Sequence, residues 1–170
     1  MVFARTSKAA SRLSEQVRNK TLKKTYIATV DGKFEQEEGI LEDYLYKDEK
    51  LRMSKVVNKE HKDAKLCQLE YEEIAVISGK SLVEINLITG RHHQIRVQFS
   101  SRLNPLYGDQ RYGLGEKAQI ALFAYKLSFI HPVTKEEMTF TCPLDEECLK
   151  AIEEASNGEL TVKSLNEYAE

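Results

Sequence analysis

The stretch Leu87 to Phe99, LITGRHHQIRVQF, constrains the chain most. Just before it, Val83, Ile85 and Leu87 alternate with Glu84 and Asn86, the period-two pattern of a half-buried strand. The alternation stops at Thr89-Gly90. Ile95, Phe99 and Leu103 then recur at helical spacing and are expected to face a core. A glycine at a strand end permits close backbone approach or a positive φ, which suits a tight turn into a helix. Strand, turn and helix thus follow one another directly. Arg91, His92, His93, Gln94 and Arg96 crowd the junction, where binding groups tend to be displayed.

The rest of the chain predicts a sheet to support this junction. Thr6 or Ser7 caps a helix running to about Asn19, with Ala9, Leu13 and Val17 as its apolar stripe. From Lys23 to Val30 the chain alternates, placing Tyr26, Ala28 and Val30 on one face and Thr25, Ile27 and Thr29 on the other, before an Asp31-Gly32 turn. Gly39 to Tyr46 reads as a short strand or turn, and Lys47 to Lys62 as a polar loop around one short strand. Ala64 to Ile77 and Leu82 to Ile88 read as strands joined by a hairpin at Ser78-Gly79-Lys80. The helix after Gly90 ends at Asn104-Pro105. A glycine-marked loop follows, then strands at Ile120 to Ile130 and Met138 to Cys142, and a helix from about Asp145 to Ser156 stopped by Asn157-Gly158. Many hairpin-linked strands with few helices predict an α+β fold, a mixed but mainly antiparallel sheet with flanking helices.

Composition narrows the function classes. The 170 residues are 41% hydrophobic and 31% charged, a soluble globular balance. No apolar run approaches membrane-spanning length, and no charged-then-apolar leader opens the sequence, so neither a membrane association nor a secretory signal is expected. Cys67, Cys142 and Cys148 are odd in number and lack CxxC spacing, which fits a reducing cytoplasm rather than a disulfide framework or zinc knuckle. A net charge of −2 counts against a nucleic-acid binder, but the charge is uneven. Arg5, Lys8, Arg12, Arg18, Lys20, Lys23 and Lys24 face a single acid, Glu15, while acidic residues gather at 35–49 and 145–170. The local field at the contact face decides binding, so an acidic tail does not exclude a basic face.

Several motifs, in order, resemble one family. TGRHHQIRV resembles the TGRxHQIRVH motif of the RluA-type RNA pseudouridine synthases. KKTYIATV at Lys23 to Val30 is similar to that family's tyrosine motif, GDQRYG at Gly108 to Gly113 to its GDxxYG loop, and LFAYKLSFIHPVT at Leu122 to Thr134 to its LHAxxLxFxHPxT strand. VFARTSKAASRLSEQ is similar to the segment that follows the family's catalytic loop. The resemblance covers residues 1–148, read as part of a pseudouridine synthase catalytic domain, with 149–170 as the helix end and acidic tail of the same domain. One element of the family pattern is absent. The catalytic aspartate sits in an HRLD motif just upstream of the VFARTSK-like segment, and no Arg-Leu-Asp triplet occurs in this sequence. An N-terminally truncated catalytic domain is therefore expected, with an exposed apolar edge or patch where further strands would pack.

The resemblance implies a reaction and a set of roles. The family isomerises uridine to pseudouridine in structured rRNA or tRNA, without a metal or organic cofactor. It implies Tyr26 as the tyrosine against the flipped base and Arg96 as the partner of the missing aspartate. Arg91, His93, Gln94, Lys23 and Lys24 are the expected RNA-binding residues, Arg91 and His93 by contacting phosphate or ordering the turn. His92 stands where the family pattern varies and is expected to be incidental. With no aspartate in the chain, Arg96 is expected to lack a partner, which is costly for a guanidinium in a pocket. A catalytically inactive RNA-binding remnant retains the same residues and is the alternative. A metal hydrolase using His92, His93 and His131 is disfavoured because adjacent histidines diverge and no HExxH-like spacing occurs. GDQRYGLG matches neither the dinucleotide nor the P-loop glycine spacing.

Overall fold

The alternating strands assemble into one seven-stranded sheet in the order β3-β2-β4-β5-β1-β6-β7. These are β1 (Lys23–Asp31), β2 (Glu38–Asp48), β3 (Met53–Val57), β4 (Lys65–Ile77), β5 (Lys80–Leu87), β6 (Leu122–Ile130) and β7 (Glu137–Thr141). Two helices accompany them, α1 (Ser7–Arg18) and α2 (Gln94–Ser100). The computed structural model describes residues 2–115, 117–143, 150 and 152–154. Every strand pairing is antiparallel, so the expected mainly antiparallel α+β sheet has no parallel pair among the described residues. No helix among them is long and apolar enough to cross a membrane.

The β4–β5 hairpin turns through Ser78 and Gly79, both at positive φ (50° and 77°), the geometry that matches the right-handed twist of the flanking strands. The stretch read as a short strand or turn at 39–46 is instead the eleven-residue β2, paired with β4 along most of its length. Cross-strand packing of Leu41 and Leu45 outweighs the weak local pattern left by its charged neighbours.

The position of β1 matters most for the site. It lies between β5 and β6 and is buried on both faces, not one. Ala28 and Val30 join Val83, Ile85, Leu69 and Leu41 in a core closed by Ile95 and Phe99 of α2, with Tyr26 packed against it. Ile27 points to the opposite face and packs with Leu82 and Ile152. Ile152 belongs to the C-terminal helix expected from the sequence. Of that helix, residues 150 and 152–154 are described and helical, and the rest of the 145–170 segment lies outside the described residues.

Helix α1 is capped as its sequence requires, Thr6 Oγ1 accepting from the Ala9 N–H at 3.2 Å. Of its apolar stripe, Leu13 is buried but Val17 is exposed. The helix docks through polar side chains as well. Gln16 Nε2 donates to the Ile130 carbonyl at 2.7 Å, its Oε1 accepts from the Ile130 N–H at 2.8 Å, and Arg12 Nη1 donates to the Pro132 carbonyl at 2.6 Å. The turn after α1 takes its positive φ at Lys20 (59°).

Two expectations about apolar surface resolve differently. Leu103 does not face the core. Helix α2 stops at Ser100, and Leu103 sits at φ 65° with 88% of its surface exposed. The helical spacing is broken when the Leu103 and Asn104 N–H groups turn back to Ser100 and Phe99. At the sheet edge, β7 pairs with β6 alone among the described residues, its residues are mostly exposed, and Phe140 stacks on Phe129 with half its surface in solvent. Phe3 is exposed ahead of α1, and Leu51, Leu114 and Val133 are exposed on segments between elements.

Phe99 fills the centre of the main core, with its ring edge-on to Phe34 at 5.8 Å and to Tyr71 at 6.1 Å. Phe99→Ala is expected to lower stability by about 3–5 kcal/mol, read as a fall in urea midpoint. Leu103→Ser should leave the midpoint within about 0.5 kcal/mol of wild type, and a larger loss would contradict its placement in solvent.

Candidate functional site

The junction after β5 is held by a chain of buried amides. Thr89 pairs with Gln68 of β4: its N–H donates to the Gln68 carbonyl at 3.1 Å and its Oγ1 accepts from the Gln68 N–H at 2.9 Å. The Thr89 hydroxyl then donates to Gln94 Oε1 at 2.8 Å, which also accepts from the Arg91 N–H at 3.0 Å. Gln94 Nε2 donates to the Gln68 carbonyl and to Gln98 Oε1, both at 3.0 Å. Gln98 continues to the Leu41 carbonyl and to Asp43, and Asp43 pairs with both terminal nitrogens of Arg102. Gln94 is 2% exposed and its amide is fully committed inside the protein. This corrects its expected RNA-binding role. Polar burial without partners is costly, so the full satisfaction of Gln94 marks a frame for the turn rather than a contact group.

The turn takes its left-handed residue at His93 (φ 52°, ψ 26°), not at Gly90. Histidine is among the residues that tolerate this region. A side chain at Gly90 would instead meet the Lys24 ammonium, 3.5 Å from where its Cβ would stand. His93 Nδ1 lies 3.0 Å from the Tyr112 hydroxyl, which accepts from the Ser54 N–H at 2.8 Å. A tyrosine hydroxyl both donates and accepts, so it pairs with Nδ1 of His93 while also receiving the Ser54 amide. Burial, with His92, Arg96 and Arg111 close by, pushes the His93 pKa down to about 4. The imidazole is therefore neutral at physiological pH.

Arg96 does not lack a partner. Its Nε and Nη2 donate to the two oxygens of Asp109 at 2.7 and 2.6 Å. Asp109, at 1% exposed, also accepts from the backbone N–H groups of Arg111 and Tyr112 at 2.9 and 3.0 Å. Burial alone would raise the Asp109 pKa, but these hydrogen bonds outweigh it and hold the carboxyl below its ordinary range. The same bond to Asp109 raises Arg96. The Arg96 guanidinium also sits over the Tyr112 ring, 5.0 Å from its centroid. Sequence reasoning placed Asp109 and Tyr112 inside the GDQRYG motif but gave them no role. The acid three residues before the tyrosine was the available signal. The loop depends on two glycines: a Cβ at Gly108 (φ 73°) would fall 2.1 Å from the Gln119 carbonyl oxygen, and one at Gly113 would fall 2.3 Å from that of Asp109.

The other expected site residues surround this frame. Lys23 and Lys24 of β1, with Lys20, Leu22, Glu70, Asn86 and Ile88, line a cavity of about 250 Å³ beside the turn. Arg91 is exposed and its Nε donates to the Leu66 carbonyl at 3.0 Å. Tyr26 is half-buried on β1, and burial raises its pKa. His131 is separate from the histidine pair: its Nδ1 accepts from the Thr134 N–H in the β6–β7 turn.

Asp109→Asn removes the charge that balances Arg96 in a desolvated site, and a loss on the order of 3 kcal/mol is expected in chemical unfolding. The pH dependence separates two groups. A histidine whose folded pKa lies below its unfolded value binds its proton less readily when folded, so stability falls as pH drops from about 6.5 to about 4. Asp109, with its depressed pKa, contributes stability that is lost only as pH falls below about 3.8. Thermal melts should show the first slope in wild type and lose most of it in His93→Asn. An unchanged slope would mean that His93 is not the titrating group.

Comparison with known proteins places this geometry in a family. Residues 1–101 match the RNA pseudouridylate synthase family model. The chain is 34% identical over 148 residues to the uncharacterized RNA pseudouridine synthase YhcT of Bacillus subtilis, covering 84% of this chain and 48% of the relative. It is 31% identical over 169 residues to tRNA pseudouridine synthase C of Haemophilus influenzae, covering 86% of this chain and 70% of the relative. Among solved structures, human RNA pseudouridylate synthase domain containing 4 shares the fold at a TM-score of 0.72 and 18% identity, covering 92% of this chain and 70% of that one. The chain spans about half the length of some of the curated relatives it matches, 48% of YhcT among them. With the TGRHHQIRV turn, the GDQRYG loop and the antiparallel sheet in place, the chain belongs to the RluA-type RNA pseudouridine synthase family.

Proposed function

We propose that this chain forms the RNA-binding and base-handling part of an RNA pseudouridine synthase, an isomerase that detaches the uracil of a uridine in structured ribosomal or transfer RNA and rejoins it through carbon 5. The observation that carries the reading is the cavity beside the Gly90–Arg91 turn, whose lining holds three lysines, Lys20, Lys23 and Lys24, against one carboxylate, Glu70. An excess of lysines beside an exposed arginine suits the phosphates of a strand drawn towards the turn. The same reading places the protein in the cytoplasm and requires no metal or organic cofactor.

The reaction needs the uridine out of its stack. Tyr26 supports that step, as a half-buried ring on a strand whose neighbours fix its position; stacking on an aromatic ring is worth about 1–3 kcal/mol per base. Arg96 commits Nε and Nη2 to Asp109, while its Nη1 makes no hydrogen bond among the described residues. That nitrogen is left to hold an ionised nucleophilic aspartate, as the family resemblance implies. The 170 residues contain no Arg-Leu-Asp triplet, so the chain by itself is proposed to bind RNA, and to isomerise uridine when an HRLD-bearing segment precedes it.

Two measurements test this. Binding to an RNA hairpin should weaken steeply with salt, and Lys23→Glu with Lys24→Glu should lower the salt slope by about 1–2 as well as the affinity. A chimera carrying a relative's HRLD segment upstream should release tritium from RNA labelled at uridine carbon 5, and its Asp→Asn version should release none. A folded, RNA-binding chimera that releases no tritium would leave the binding-remnant reading in place of the isomerase.

A further inference from the structure

We propose that a second cavity, walled by Lys47, Lys65, Arg91 and His92, receives one nucleotide of the bound RNA beside the uridine acted on; this rests on the RNA reading above. The cavity measures about 440 Å³, within the range of small-ligand sites and larger than a phosphate alone requires. It adjoins the same turn as the lysine cavity. One is lined by Leu87 and Ile88 before Gly90, the other by Gly90, Arg91 and His92.

One wall is an aromatic face held in place. The His92 ring stacks on His93 at 3.7 Å between centroids, and His93 meets Tyr112 edge-on at 5.6 Å. His92 Nδ1 lies 3.0 Å from Ser54 Oγ. The ring is fixed by a neighbour and a hydrogen bond, yet the residue is exposed. Such a face offers a platform to any base, because every base has a π-face. A position read as incidental in the sequence thus becomes the base contact.

The other wall is cationic. Lys65 pairs opposite Leu45, and Lys47 follows Leu45 by two residues, so both lysines stand on the side of the sheet where Leu45 packs with Val97 of α2. The Lys65 ammonium makes no hydrogen bond or ion pair among the described residues, while its backbone belongs to the β2–β4 ladder. Lys47 pairs with Glu49 at 2.9 Å, but both ends are exposed, and such a pair is weak enough for a phosphate to displace. Arg91 uses only Nε, for Leu66, and keeps its terminal nitrogens. Glu49 and Asp63 also line the cavity. Three cations against two carboxylates suit a single phosphate, and the carboxylates can accept from ribose hydroxyls, which distinguish RNA from DNA.

The test uses the full chain, isotope-labelled, titrated with adenosine 5′-monophosphate and, separately, with inorganic phosphate while the His92 ring resonances are followed. The nucleotide should bind more tightly than phosphate and shift the His92 ring signals. His92→Ala should weaken nucleotide binding about 5-fold or more, and Lys65→Glu should weaken it too. Equal affinity for nucleotide and phosphate, an unmoved His92 ring at saturation, or wild-type nucleotide binding by His92→Ala would each overturn the proposal. Melting curves that match wild type establish that the variants are folded. Binding to an RNA hairpin, run in parallel, separates this site from the broader reading. His92→Ala should lower hairpin affinity with the salt slope unchanged, because stacking carries no charge. If wild type binds the hairpin and His92→Ala loses nothing, the nucleotide site falls and RNA binding stands. If wild type binds no hairpin at any salt concentration, both fall.

Discussion

The ion pair between Arg96 and Asp109 holds the displayed face together. It is bidentate, and its carboxylate is almost wholly removed from water. A lone charge in that position would be expensive, so the two groups fix each other's location. Because Asp109 also receives the Arg111 and Tyr112 amides, the loop following α2 has little freedom to move relative to the helix. Tyr112 is thereby aimed at both β3 and the turn, where it accepts from the Ser54 amide and shares a hydrogen bond with His93. Helix, loop and outer strand, far apart in sequence, are locked through one guanidinium.

A division of labour follows. The polar residues that give the motif its appearance of a binding site are mostly structural: Gln94 and Gln98 are buried and joined to Asp43 and Arg102. A fully satisfied buried network rigidifies what it supports. The groups free to meet a ligand sit at the rim, on Lys23, Lys24, Arg91 and His92. Rigid support beneath with adaptable charge above suits recognition of a backbone that must be bent and opened before its base is reached.

The sequence made the strands, the hairpin at Ser78-Gly79 and the strand-turn-helix junction readable, because each is written in local alternation or turn chemistry. It hid what depends on distant partners. The Asp109 side chain finds Arg96 only after the loop folds back. Gln94 looks like a ligand group until Gln68 and Gln98 are seen to surround it. Leu103 keeps helical spacing with Phe99, but the backbone turns left-handed at Leu103 itself, and spacing cannot register that. β2 was nearly lost because Glu42, Asp43 and Asp48 interrupt the apolar pattern, and its strand character comes from the pairing with β4.

The central place of β1 has a kinetic meaning. Its two neighbours in the sheet come from much later in the chain; Thr25 meets Asn86 across a separation of 61 residues, and Lys23 lies opposite Ser128. Pairings of this kind have high contact order, and the loop entropy they require is met before any contact repays it. While the chain is being made, the β2–β3 and β4–β5 hairpins can close first, Tyr26 gains its first partner with β5, and Lys23 and Lys24 gain theirs only when β6 has emerged. The basic surface is therefore among the last parts of the molecule to take shape, and a ribosome-bound nascent chain stopped before β6 presents the turn without the strand that completes it.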